Sequence, residues 1–120
     1  MKKILIVDDS VSLRKDLKRF LQPIENIEIV GEASNSADAV RKHEALKPDI
    51  IILDIDLKSG NGIEVLTKIK KCLVPSTVIM FTNYSNYAFQ KAAERLGANY
   101  FLDKTKDVDR LVDILKELAD

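Results

Sequence analysis

Five short apolar runs with almost no polar alternation constrain this chain more than any other feature. They are Ile4–Val7, a looser group of Ile27, Ile29 and Val30, then Ile50–Leu53, Val78–Phe81 and Tyr100–Leu102. A strand with one face in water alternates apolar and polar residues, whereas an unbroken apolar run suits a parallel strand covered on both faces. Four of the runs end on polar residues: Asp8-Asp9, Asp54, Thr82 and Asp103-Lys104. In an open parallel sheet the chemistry gathers beyond the carboxyl ends of the strands. Three carboxylates (Asp8, Asp9, Asp54), a hydroxyl (Thr82) and an ammonium (Lys104) are therefore expected on one rim.

Between the runs the apolar spacing changes to that of helices. Leu13, Leu17, Phe20 and Leu21 recur at three- and four-residue steps, and Pro23 stops that helix because proline lacks the amide hydrogen. Ser34 or Ser36 is expected to cap a second helix with Ala39, Val40, His43 and Leu46 facing inward. Ser59-Gly60-Asn61-Gly62 opens a third, carrying Ile63, Leu66 and Ile69. Ser85 is a suitable cap for a fourth over 87–96, which Gly97 ends in the left-handed conformation. Asp107 caps a fifth with Val108, Leu111, Val112, Leu115 and Leu118 at helical spacing. The pattern is (βα)5 without linker or repeat, an α/β chain with right-handed crossovers and helices on both sheet faces. Strands one, three, four and five carry the polar ends, so they lie side by side with the second at an edge. The order 2-1-3-4-5 of a doubly wound, flavodoxin-like, five-stranded parallel sheet is taken from that fold class.

Composition removes several function classes. Lys plus Arg equals Asp plus Glu at 19 each, so no concentrated basic charge favours direct nucleic-acid binding. Lys68, Lys70 and Lys71 read as the solvated face of a helix. Met1-Lys2-Lys3 leads into an apolar run too short for a signal peptide or a membrane span. The single Cys72 suits a reducing cytosol and reads as filler near a helix end, and a cytoplasmic location follows as an expectation. His43, the one histidine, reads as a half-buried packing residue. No Gly-rich nucleotide loop is present, and an acidic loop after strand one would repel the phosphate of a flavin.

Gathered carboxylates repel, and a divalent ion such as Mg²⁺ (or Mn²⁺) relieves them through oxygen ligation. Any one Asp after a strand can serve as a turn or helix cap. Three in register with Thr82 and Lys104 point to a site. Asp54 is then the nucleophile, able to take a phosphoryl group as an acyl phosphate once its oxygens are neutralised. Lys104 supplies a compact ammonium and touches no core, and Thr82 supplies a hydroxyl donor.

These residues resemble the receiver domain of two-component response regulators. The resemblance spans residues 1–120 and rests on Ile4-Leu5-Ile6-Val7-Asp8-Asp9, on Pro48 through Asp54 with Gly62 eight residues later, on Phe81-Thr82, and on Gly97-Ala98 before Lys104. It implies that Asp54 accepts phosphate from a sensor histidine kinase or phosphotransfer protein. It also implies that Asp9 ligates Mg²⁺ directly, Asp8 through water and Asp56 through its backbone carbonyl. Such a domain is no enzyme beyond catalysing its own phosphorylation and dephosphorylation. Thr82 and Phe101 are its switch residues, and a downstream effector or output domain meets the face of the fourth helix, fifth strand and fifth helix. Thr105 stands where the family usually has a proline with a cis bond, so a trans bond is expected. Lys58 replaces another frequent proline, Asn83 a small residue, and Phe101 lacks the hydroxyl of a tyrosine switch. The phosphoryl lifetime is expected to depend on Asp56 and Tyr84, two residues beyond Asp54 and Thr82, with bulky Tyr84 shielding the group from water.

Two other readings compete. One is a receiver-shaped interaction module that phosphorylation does not regulate; the complete set of five site residues argues against it. The other is a phosphoester hydrolase with an Asp nucleophile, for which the chain lacks room for a cap domain and a second acid.

Overall fold

A computed structural model describes residues 1–83 and 86–120. Strands β1 (Lys2–Val7), β2 (Ile27–Ala33), β3 (Ile50–Leu53), β4 (Thr77–Thr82) and β5 (Tyr100–Asp103) alternate with helices α1 (Val11–Leu21), α2 (Ser36–Leu46), α3 (Gly62–Lys70), α4 (Tyr87–Arg95) and α5 (Val108–Ala119). The strands form one parallel sheet in the order β2-β1-β3-β4-β5. The expected element sequence and strand order are both present.

Successive residues of a strand point to opposite faces, and here both faces are apolar. Leu5, Val7, Ile51, Leu53, Val78 and Met80 pack with Ala39 of α2, Val65, Leu66 and Ile69 of α3, and Ala93 of α4. Their neighbours Ile4, Ile6, Ile50, Ile52, Ile79 and Phe81 pack on the other side with Leu17 and Leu21 of α1 and Leu111, Ile114 and Leu115 of α5. Burial of each such side chain contributes about 1.5–3 kcal/mol. This is why the runs show no polar alternation.

Several local details differ from the sequence reading. Asn35, not Ser34 or Ser36, caps α2 by accepting the Asp38 amide; the Ser36 amide donates instead to the Ser59 carbonyl at 2.9 Å. Asn86 caps α4 by accepting the Phe89 amide, while Ser85 lies outside the described residues. Asp107 precedes α5, but its carboxylate accepts the Asp103 amide at 2.9 Å and makes no cap bond. Phe20 is half exposed, because α1 meets the sheet along Leu17 and Leu21 and the next contact comes from Ile24. Cys72 is exposed beyond the end of α3 and fills nothing.

Two polar side chains read as packing or solvated are anchors between elements. His43 is 7% exposed and bonds through Nε2 to the Ser76 hydroxyl at 3.0 Å; that hydroxyl donates to the Pro48 carbonyl, so Nε2 carries the hydrogen. Burial holds the His43 pKa below its ordinary value, against the pull of Glu44. Lys70 donates to the Ser76 carbonyl and to Asn99 Oδ1, tying α3 to the starts of β4 and β5. Burial likewise lowers the pKa of its ammonium. Gly97 has φ +99°, the left-handed conformation expected after α4. No helix among the described residues is long and apolar enough to cross a membrane.

Candidate functional site

The carboxyl ends of β1, β3, β4 and β5 meet at one rim because the parallel register brings their last residues level to within two positions. Val7 pairs with Leu53, Leu53 with Met80, and Thr82 with Asp103. The residue following each of the first two strands therefore enters a common space. The amide of Asp54 donates to the Val7 carbonyl at 3.0 Å, and that of Asp8 to the Ala33 carbonyl at 2.9 Å.

Asp8, Asp9 and Asp54 offer carboxylate oxygens all within 4.8 Å of one another; Asp8 and Asp54 are buried and Asp9 is exposed. Lys104 closes the group from the β5 side. Its ammonium lies 2.7 Å from Asp8 Oδ2 and 2.7 Å from Asp54 Oδ2, with side chains 13%, 3% and 4% exposed respectively. Lys104 is thus a counter-ion of the acids in the fold itself. Burial pushes the Asp8 pKa above its ordinary value, opposed by bonds from Lys104 and the Ser10 amide. Burial alone would lower the Lys104 pKa, but its bonds to Asp54 and Asp8 outweigh it and hold the ammonium charged.

The other expected residues lie around this group. Thr82 is wholly buried at the end of β4, and its carbonyl accepts the Lys104 amide. Asp56 is exposed; its amide points at Asp54 Oδ1 at 3.4 Å, and its backbone pairs with Asn61. Phe101 is partly buried against the core cluster of the α2–α3–α4 face. The expected role of Tyr84 falls outside the described residues. Asp103 Oδ1 accepts the amides of Thr105 and Lys106, which shapes the turn that the family proline usually occupies, and the described peptide bonds are all trans.

Gly62 is needed for this geometry. A Cβ there would lie 2.0 Å from the Asp54 carbonyl oxygen and 2.8 Å from its carbon. The start of α3 therefore rests directly on the backbone of Asp54. Gly62→Ala is expected to cost about 1–3 kcal/mol, since rigid backbone must give way. Urea unfolding checks this, and wild-type stability would refute the close approach.

The donor set fits a hard divalent cation. Mg²⁺ takes oxygen ligands at about 2.1 Å, which puts opposite ligands about 4.2 Å apart. The 4.8 Å span of the three carboxylates is close to that. The sequence reading brought these acids, Thr82 and Lys104 together; it missed Arg14, whose Nη1 donates to the Asp8 carbonyl at 2.6 Å. No spacing rule signals that contact.

Comparison with known proteins agrees with this geometry. Residues 4–116 match the family model described as the response regulator receiver domain. The chain is 39% identical over 117 residues to the sensory transduction protein LytT of Bacillus anthracis, covering 98% of this chain and 47% of LytT. It thus spans about half the length of that relative. It is 34% identical over 119 residues to the chemotaxis protein CheY of Listeria monocytogenes, covering 99% of each. The solved CheX–CheY–BeF3–Mg²⁺ complex of Borrelia burgdorferi is similar with a TM-score of 0.82 at 28% identity, over 95% of this chain and 89% of that one.

Proposed function

The chain belongs to the response regulator receiver domain family, and on that premise we propose that residues 1–120 form one receiver domain switched by phosphorylation of Asp54. The observation that carries this reading is the meeting of the buried Asp54 carboxylate with the Lys104 ammonium at 2.7 Å, in one group with Asp8 and Asp9. A sensor histidine kinase or phosphotransfer protein is the donor. An Asp54 carboxylate oxygen attacks phosphorus, the bond from phosphorus to the donor's imidazole nitrogen breaks, and that nitrogen keeps the electron pair. With the donor ring protonated at its other nitrogen, an acyl phosphate on Asp54 and a neutral histidine result.

Charge spreads over the equatorial phosphoryl oxygens during transfer, so catalysis is chiefly positioning and neutralisation. Lys104 holds a positive charge at the acceptor oxygen, and Thr82 offers a hydroxyl donor from the end of β4. Asp9, Asp54 and the Asp56 carbonyl would hold Mg²⁺, with Asp8 acting through water; bound there, the ion would supply charge neutralisation for the phosphoryl oxygens. The Mg²⁺ named with the Borrelia CheY complex supports this choice.

Output is assigned to the face of α4, β5 and α5, where Gln90, Glu94, Phe101 and Arg110 line one hollow. Movement of Thr82 toward the phosphoryl group frees space into which Phe101 turns, a repacking biased by local charge. Phe101 reports by packing alone, since it has no hydroxyl. An effector or output domain recognises the result. Asp56 and Tyr84 set how fast water reaches the phosphoryl group.

Incubation with acetyl phosphate and Mg²⁺, followed by intact-mass measurement, tests the reading. A persistent mono-phosphoryl adduct is expected. No adduct would favour an interaction module that phosphorylation does not regulate, and rapid donor consumption without adduct would favour a hydrolase.

A further inference from the structure

One cation beside the site has no part in the transfer chemistry. Arg14 lies near the N-terminal end of α1, a position where the helix dipole disfavours positive charge and where α1 has no acidic residue in its first turn. Helix stability therefore does not account for it. Its side chain is 15% exposed and runs back toward the helix start, where Nη1 donates to the Asp8 carbonyl at 2.6 Å. From the same guanidinium, Nε donates to Glu32 Oε1 on β2 at 3.0 Å. Glu32 is itself held: Lys18 donates to Oε2 at 2.7 Å, and Lys42 donates to its carbonyl.

We propose that Arg14 is a positioning residue for the divalent-cation site, clamping the Asp8–Asp9 peptide to β2 through Glu32. The inference rests on the metal-site reading above. The Asp8 carbonyl belongs to the peptide unit whose nitrogen is that of Asp9. Fixing that oxygen fixes the peptide plane, and with it the direction in which Asp9 leaves the chain. The Asp8 carboxylate has its own restraints, the Ser10 amide at 2.9 Å and Lys104 at 2.7 Å. Asp9 is exposed, and among the described residues no hydrogen bond or ion pair of its side chain holds its aim. The clamp therefore matters most for Asp9.

Two effects of Arg14 on cation binding oppose each other, so the sign of a mutation decides between them. As a bystander, a guanidinium next to the site repels a cation, and its removal would tighten binding. As a clamp, it holds ligands in place, and its removal weakens binding. Geometry also predicts selectivity. Mg²⁺ demands a near-ideal octahedron at short distances, whereas Ca²⁺ accepts longer and more varied ligation. Loss of a positioning residue should injure Mg²⁺ binding more than Ca²⁺ binding.

Calorimetric titration of Mg²⁺ and of Ca²⁺ into wild type, Arg14→Met, Arg14→Lys and Asp9→Asn tests this, with melting in EDTA to establish that each variant is folded. Arg14→Met is expected to weaken Mg²⁺ binding about tenfold, the scale seen for outer partners of metal ligands, and Ca²⁺ binding less. Arg14→Lys keeps the charge but lacks the planar fork that reaches two acceptors, and is expected to shift the same way. If Arg14→Met fails to fold, Arg14→Lys carries the test on the same criteria. Mg²⁺ binding by the folded variants as tight as wild type or tighter overturns the proposal, as does equal loss for both ions. A wild type that binds no Mg²⁺, or an Asp9→Asn variant that binds it as well, instead overturns the site reading and this proposal with it.

Discussion

Asp54→Asn is expected to abolish the phosphoryl adduct formed with acetyl phosphate and Mg²⁺, with no other acidic residue taking its place. The amide is close in size and shape to the carboxylate, so the fold should tolerate it. It is a far poorer nucleophile and carries no charge for Lys104 to pair with. Asp8 is no substitute. Its Oδ1 accepts the Ser10 amide at 2.9 Å and its Oδ2 meets Lys104, whereas Asp54 Oδ1 meets the Asp56 amide at a longer 3.4 Å. Asp9 is exposed and is assigned above to the metal. Intact-mass measurement reads the outcome directly, and labelling of Asp54→Asn at the wild-type level would show that another residue is the acceptor.

Lys104→Met is expected to unbalance the site even before any phosphate arrives. From the sequence Lys104 reads as a contact for the phosphoryl group with no part in the core. In the fold its ammonium lies between two buried carboxylates, 2.7 Å from each. Removing one partner of a buried ion pair leaves uncompensated charge, a cost of about 3–5 kcal/mol when burial is complete. Protonation of Asp8 and the partial exposure of the site reduce this, and about 2 kcal/mol is expected for Lys104→Met in EDTA. Saturating Mg²⁺ should close much of the gap, because the ion brings positive charge to the same acids and binds only the native state. At one saturating concentration the gap closes by RT ln of the ratio of the two dissociation constants, so a tenfold tighter Kd in the variant recovers about 1.4 kcal/mol. Urea unfolding of both proteins with and without Mg²⁺ checks this; equal stability in EDTA would refute the counter-ion role.

The fold, and the meeting of Asp8, Asp9, Asp54 and Lys104 at one rim, were determined by features visible along the chain. Unbroken apolar runs such as Ile50–Leu53 report a strand covered on both faces, since each residue must face one core or the other. The acids, Thr82 and Lys104 could be grouped because chain position at the end of a parallel strand determines which rim a residue reaches. Local helix starts were less legible. Asn35 caps α2 in place of its serine neighbours, and the amide of Ser36, in the first turn, finds its acceptor in the Ser59 carbonyl, a contact made only once the chain has folded.

Tertiary structure alone decided the long-range polar contacts. Arg14 meets Glu32 eighteen residues away, and His43 meets Ser76 thirty-three away. Helical and strand periodicity reach only a few residues, so they place a side chain on a face without naming what stands opposite it. The role of Lys104 as counter-ion to Asp8 as well as Asp54, and the grip of Arg14 on the Asp8 carbonyl, follow from the order and register of five strands. Burial then gives these few contacts their weight, because a charge removed from water must find its partner inside the fold.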